Sequence, residues 1–167
     1  MPETCDALLV GALRKVRHGR FRILSGQELL DDWKWLLKKP HTLVAMNNFG
    51  DMFLRDEHEQ VYFLNIAFGN LAKVANSTAE LQQLLPVKEN QFQWFHTDLL
   101  TQLEQAGLTL SSGQCFCVKK PPVLGGKWEL SNIEVGPIAV HVSLMGQIHQ
   151  QVKNLPSGTK IKDFTIA

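Results

Sequence analysis

The sequence predicts an α+β fold, with a central, mainly antiparallel sheet of short strands flanked by helices. Three observations predict it. Strand-like runs bunch between residues 42 and 75, and helical periodicities lie before and after them. That segregation belongs to α+β chains and not to the βαβ alternation of a parallel sheet. The turns between these runs (Asn48-Phe49-Gly50-Asp51, residues 56–60, Phe68-Gly69-Asn70) are too short for crossovers, so consecutive strands are antiparallel neighbours. Finally, a chain of 167 residues fits one domain and buries roughly 70% of its unfolded surface, so it needs neither disulfide nor metal to be stable. One domain over residues 1–167 is expected, with a helical N-terminal segment over 1–40 and a core over 41–161.

Each element has a local reason. Leu8, Leu9, Ala12, Leu13 and Val16 recur at helical spacing, and residues 21–24 read as a short strand. Ser25 with Glu28 has capping-box spacing, and Leu29, Leu30, Trp33, Leu36 and Leu37 form an apolar stripe up to Pro40, which stops the helix. Strands are predicted over Thr42–Met46, Met52–Arg55, residues 61–66 and residues 71–75. The alternation in FLRD and VYFLN suggests a meander with one wet face.

Ser77 and Glu80 repeat the capping box and open a helix to about Leu85. A single helix over residues 89–106 then places Phe92, Phe95, Leu99, Leu103 and Ala106 on one face, with Gly107 at the position of a C-terminal cap. Strands are expected at 115–118 and 130–135. Pro137 suits the first turn of a last helix striped with Ile138, His141, Val142, Met145, Ile148, His149 and Val152. The final residues read as an edge strand.

Composition excludes several function classes. With 17 basic and 16 acidic residues the net charge is +1, so no overall field draws the chain to nucleic acid or an anionic membrane. The basic stretch Arg14, Lys15, Arg17, His18, Arg20, Arg22 has only Phe21 interleaved and reads as a solvated face, or as a surface for an acidic partner. The longest apolar runs fall far short of the roughly 20 residues that span a bilayer. Near the N-terminus, acids precede the apolar run and bases follow it, the reverse of a secretory signal, so a cytoplasmic location is expected.

Candidate chemistry is sparse. GxSxG, P-loop, GxGxxG and HExxH motifs are absent from the sequence. Cys115 and Cys117 share one face of a strand, and the expectation is structural burial of free thiols. His141 and His149 lie two turns apart, about 12 Å along a helix axis, and read as core histidines. Cys115 or Cys117 with His141 is the one pairing fit for nucleophilic or metal chemistry, and it keeps open the alternative of a small Cys/His or metal-site enzyme. Asp31, Asp32, Asp51, Asp56 and Glu57 read as solvated helix surface or turn chemistry. Trp33 and Trp35 diverge on their helix, which leaves Trp35 half-exposed or covered by the N-terminal segment. No catalytic residue, metal or cofactor is assigned.

Residues 113–128, GQCFCVKKPPVLGGKW, are the most informative. Pro121 and Pro122 fix φ, and Gly125 and Gly126 permit positive φ. The result is a shaped loop with an apolar tip, Val123 and Leu124, and a cationic shoulder of Lys119, Lys120 and Lys127. Such a loop suits contact with a protein partner. Val123, Leu124 and Trp128 would supply buried area and the lysines electrostatic steering, with Asn48 and Asp51 contributing alongside. The alternative is that Leu124 and Trp128 fold back onto the core.

The order of motifs resembles a known family. FGDMFLRDEHEQVYFLNIAFGNLAKVANSTAEL, GQCFCVKKPPVLGGKWELSNIEV and HVSLMGQIHQQVKNLPSGTKI are similar to the C-terminal domain of type VI secretion immunity proteins that neutralise a DNase toxin, and the resemblance covers residues 42–161. The resemblance implies a non-catalytic cytoplasmic antitoxin whose partner is a cognate protein effector. A housekeeping interaction or scaffold domain is the remaining alternative.

Overall fold

A computed structural model describes residues 26–167. The predicted elements within residues 1–25, including the Ser25 cap and the basic stretch, lie outside the described residues. Helices α1 (Gly26–Leu29) and α2 (Lys34–Leu37) lead into strands β1 (Thr42–Met46), β2 (Met52–Arg55), β3 (Val61–Asn65) and β4 (Asn70–Ala75). Helices α3 (Thr78–Leu84), α4 (Lys88–Phe95) and α5 (Thr97–Gln105) follow, then β5 (Gln114–Val118), β6 (Ile133–Pro137) and α6 (Ile138–Val152). The first four strands form an antiparallel meander in sequence order, and β5 and β6 form a separate antiparallel pair. The fold is α+β, as the segregation of strands and helices predicted.

The meander has no wet face at its centre, contrary to the alternation-based expectation. Met52, Phe53 and Leu54 are all fully buried. Phe53 packs with Phe63 (5.0 Å between ring centroids), Trp94 (5.4 Å) and Phe95 (6.3 Å) beneath α4. Met52, Leu54 and Leu64 face the other way into the larger core, with Trp33, Val142 and Met145. A strand covered on both sides reads as a continuous apolar run, and the polar residues of FLRD and VYFLN fall at strand ends.

Two predicted helices are broken. The run toward Pro40 is interrupted by a 3-10 turn at Asp31–Trp33 and ends at Lys38, which takes a left-handed conformation (φ 55°). The break turns Trp33 into α6, where its Nε1 donates to the Val142 carbonyl at 2.9 Å. Trp35 is half-buried and donates to the Gly146 carbonyl at 3.2 Å. Gly146 is required here, because a Cβ would stand 2.6 Å from the Asp32 carbonyl oxygen. The expected helix over 89–106 is two helices, α4 and α5, hinged at His96 (φ 50°, ψ 48°). Phe92 accordingly lies outside the core, 54% exposed.

Other elements match their signals. Ser77 Oγ accepts from the Glu80 amide at 3.1 Å, and the Glu80 carboxylate reaches back to the Asn76 amide at 2.6 Å. Gly107 closes α5 with φ 78°. The α6 stripe is buried throughout. The strand expected at 130–135 is instead a 3-10 turn, Leu130–Asn132, followed by β6. The last residues form no edge strand. Gln147 and Gln151 of α6 bond to them through side-chain amides: Gln147 Oε1 takes the Ala167 amide at 2.7 Å, and Gln151 Nε2 gives to the Thr165 carbonyl at 2.8 Å. Those amides satisfy the tail's backbone as a neighbouring strand would.

Candidate functional site

The turn between β1 and β2 organises the molecule. Asn47 Oδ1 accepts from the Phe49 and Asp51 amides (2.8 and 3.0 Å), and its Nδ2 donates to Asp51 Oδ2 (2.9 Å) and the Trp94 carbonyl (2.7 Å). Asp51 is fully buried, and three donors converge on its carboxyl group: Asn47 Nδ2, the Ile66 amide at 2.7 Å and His96 Nε2 at 3.0 Å. Every side-chain polar atom of Asn47 and Asp51 therefore has a partner, the condition under which such a network is stabilising. The network ties the meander to the α4–α5 hinge. The left-handed backbone at His96 aims its ring at Asp51, which is why the predicted single helix breaks there. The Asn48 carbonyl accepts from the Phe116 amide at 2.8 Å and so adds the β5–β6 pair to the same turn.

Above the turn lies an aromatic layer. Trp128 sits against His96 (4.8 Å), Phe49 (5.4 Å) and Phe68 (5.5 Å), and Phe49 also meets Phe116 (5.6 Å). Phe68 is 45% exposed. His96 and Phe68 escaped the sequence reading. Phe68 carried a faint signal, an aromatic residue inside the turn Phe68-Gly69-Asn70. His96 carried none, since its role depends on a partner 45 residues away.

The loop at residues 119–128 leaves β5 beside this layer. It contains a 3-10 turn at Pro122–Leu124, and Gly125 takes φ 84°. Asn132 staples the loop: its Oδ1 accepts from the Lys120 amide (3.0 Å), and its Nδ2 donates to the carbonyls of Lys120 and Lys127 (2.8 Å each). Gly126 is required because a Cβ there would collide with the Lys120 carbonyl oxygen. Lys119, Lys120 and Lys127 are exposed, as is Val123 at 45%. Leu124 and Trp128 are half-buried and pack on the core. The two halves of the apolar expectation thus separate: Val123 points outward, whereas Leu124 and Trp128 lean inward. Asn48 is half-buried and serves the fold through its carbonyl. Asp51 corrects the sequence reading, because its burial and three donors leave no atom for a partner.

A third grouping lies beneath β5. Cys115 and Cys117 are buried, with their sulfurs 3.6 Å apart. His141, on the first turns of α6, completes a buried trio whose ligand-capable atoms all lie within 4.8 Å of one another. A hydrogen bond from Cys115 pulls the Cys117 thiol down to about 5. His141 adds a hydrogen bond and a charge interaction, and burial and Glu134 oppose them. His149, two turns further along α6, does not join this trio. It is buried against Trp33 and bonds to the Ala67 carbonyl, and desolvation holds its pKa below the usual histidine value.

A family model described as "T6SS immunity protein Tdi1, C-terminal" matches residues 75–149. The match runs from the end of β4 through most of α6 and includes the 119–128 loop and the Cys/Cys/His trio. Among solved structures, the crystal structure of Atu4351 from Agrobacterium tumefaciens is similar at 17% identity with a TM-score of 0.49, over 64% of this chain and 54% of that one. The chain therefore spans about half the length of that structure. No curated protein matches the chain. Among the described residues, no helix is long and apolar enough to cross a membrane.

Proposed function

We propose that this chain is a non-catalytic immunity protein of a type VI secretion system that binds a cognate effector and blocks it by occlusion. The match of residues 75–149 to an immunity-protein family carries the reading. The docking surface is the outer edge of the 119–128 loop: Lys119, Lys120, Val123, Gly125, Gly126 and Lys127, with Leu124 and Trp128 as its supports. Two features of the loop support this placement. Its conformation is fixed beforehand by Asn132, which lowers the ordering cost of binding. Its three exposed ammonium groups would steer an acidic surface into contact.

The charge also constrains the docking geometry. The sequence resemblance implies a DNase as the toxin. A cleft that takes phosphodiesters is itself electropositive, and three lysines would be repelled from it. The loop therefore engages an acidic rim beside the cleft, and the body of the protein covers the opening.

The test is capture of a candidate secreted effector, sought among the genes beside this one, using the purified protein. One-to-one binding that inhibits the effector supports the proposal. The triple variant Lys119→Ala/Lys120→Ala/Lys127→Ala is expected to bind at least 10-fold more slowly, an effect that fades as salt rises. If wild-type protein leaves the effector fully active, the immunity reading is wrong. If the triple variant binds like wild type, the placement of the surface is wrong.

A further inference from the structure

We propose that Cys115, Cys117 and His141 form a structural binding site for a thiophilic d10 metal ion, Zn(II) or Cu(I), which pins the β5–β6 pair onto α6. Three independent observations converge on it. The donor set is two thiols and one imidazole, the soft and borderline ligands that select these ions over Mg(II) or Ca(II). The spacing fits: two metal–sulfur bonds of about 2.3 Å at a tetrahedral or trigonal angle hold their sulfurs roughly 3.8–4.0 Å apart, and the sulfurs here are 3.6 Å apart. Only a small opening movement is needed. The surroundings also keep room for the sulfurs. Gly136 lies across the strand pair, where a Cβ would stand 3.0 Å from the Cys117 sulfur.

The elements bring together the Cys115, Cys117 and His141 grouping that the sequence left open as an alternative. Cys115 and Cys117 alternate onto one face of β5, and register pairs them with Gly136 and Glu134 of β6. His141 arrives from the helix that β6 leads into after Pro137. The trio is thus assembled by one strand–helix connection. Among the described residues, no fourth His, Cys, Asp or Glu joins it. Cu(I), which accepts three ligands, would be held by the trio alone. Zn(II), which prefers four, would take a water or the Cys115 carbonyl oxygen, which lies 3.5 Å from the Cys117 sulfur. Either ion displaces the remaining thiol protons to solvent on binding. All three ligand residues are buried, so the role of the site is cohesion of the fold.

The experiment uses the full-length chain, stripped with chelator under reducing, anaerobic conditions. It is titrated with Co(II) as a spectroscopic stand-in for zinc, with Zn(II) against a chromogenic chelator, and with Cu(I) against a Cu(I)-specific chelator. The expected result is one equivalent bound, with a thiolate-to-Co(II) charge-transfer band of two-thiolate intensity in the zinc case, or one equivalent of Cu(I) held against its chelator in the copper case. Cys117→Ser and His141→Gln should each weaken binding by more than about 100-fold, the upper end for loss of a mere outer-shell partner. Because the wild-type band itself counts thiolates, the outcome does not depend on the variants folding. Absence of the band together with failure to hold Cu(I) overturns the proposal, as does binding that persists unchanged in Cys115→Ser/Cys117→Ser. Effector capture is measured separately, so failure here leaves the partner reading untouched.

Discussion

Replacing Asp51 tests whether the buried turn network organises this fold. In Asp51→Ala three donors lose their acceptor. Asn47 Nδ2 keeps the Trp94 carbonyl and is not orphaned. The Ile66 amide loses its Asp51 Oδ1 acceptor, and a buried unsatisfied donor costs about 1–3 kcal/mol. His96, whose side chain is 12% exposed, loses a bond to a charged group worth about 1.5–3 kcal/mol. Together these give about 2.5–6 kcal/mol, a large part of the roughly 5–15 kcal/mol that holds a domain folded.

Asp51→Asn separates the contributions. It keeps an oxygen for the Ile66 amide and turns an amide nitrogen toward His96, which can answer by changing tautomer, and toward Asn47 Nδ2, which loses this acceptor and keeps only the Trp94 carbonyl. Its expected cost is about 1–2 kcal/mol. Urea unfolding followed by tryptophan fluorescence measures both, with Trp94 and Trp128 reporting on this region. An Asp51→Ala variant within about 0.5 kcal/mol of wild type, the ordinary range for an inconsequential substitution, would refute the reasoning. An Asp51→Asn variant as damaged as Asp51→Ala would show that charge, and not the bond to the Ile66 amide, dominates.

Gly69→Ala should destabilise by about 2–4 kcal/mol in the same assay. The residue has φ 67°, and the added Cβ meets the His149 imidazole, combining backbone strain with overpacking. His149 titrates below its unfolded value because burial disfavours its charged form. The unfolded chain therefore binds the proton more readily, and stability is full above about pH 6.5 and declines as pH falls toward the lower folded pKa. His149→Gln should flatten that decline in urea midpoints measured from pH 7 to 5. Asn132→Ala removes the three bonds that staple the 119–128 loop, so it should speed effector dissociation about 10-fold or more while shifting the urea midpoint only slightly. Rapid dissociation together with global unfolding would contradict a local role.

Periodicity and turn chemistry made much of this fold legible. Thr42–Met46 and Met52–Arg55 appear at the expected bounds, as does the Ser77 cap, because each depends on neighbours in sequence. The breaks did not show, because their causes are remote. Trp33 turns out of a regular helix to reach Val142, 109 residues away, and His96 adopts a left-handed backbone to meet Asp51. Asp51 itself was misread for the same reason. An aspartate after Gly50 looks like a solvated turn residue until the Ile66 amide is brought onto it. The loop was legible as a shaped segment, since Pro and Gly act locally, yet which apolar residues it exposes was decided by Phe49, Phe68 and His96 beneath Trp128.

These remote contacts bear on how the proposed binding surface acquires its shape. Trp128 ends the loop and rests on His96; His96 rests on Asp51; Asp51 is locked by Asn47 and the Ile66 amide. The outer face of the loop is therefore held from two sides, by Asn132 along the chain and by this buried stack from below. On the proposed reading, a loop fixed in this way would lose little freedom on docking, so affinity would depend on support residues beneath the contact surface. It follows that Asp51→Asn, at a temperature where it remains folded, should weaken effector binding mainly through faster dissociation, with the association rate and its salt dependence left to the lysines. If association and dissociation both stayed at wild-type values in that variant, Trp128 and the stack beneath it would be shown to have no part in shaping the surface.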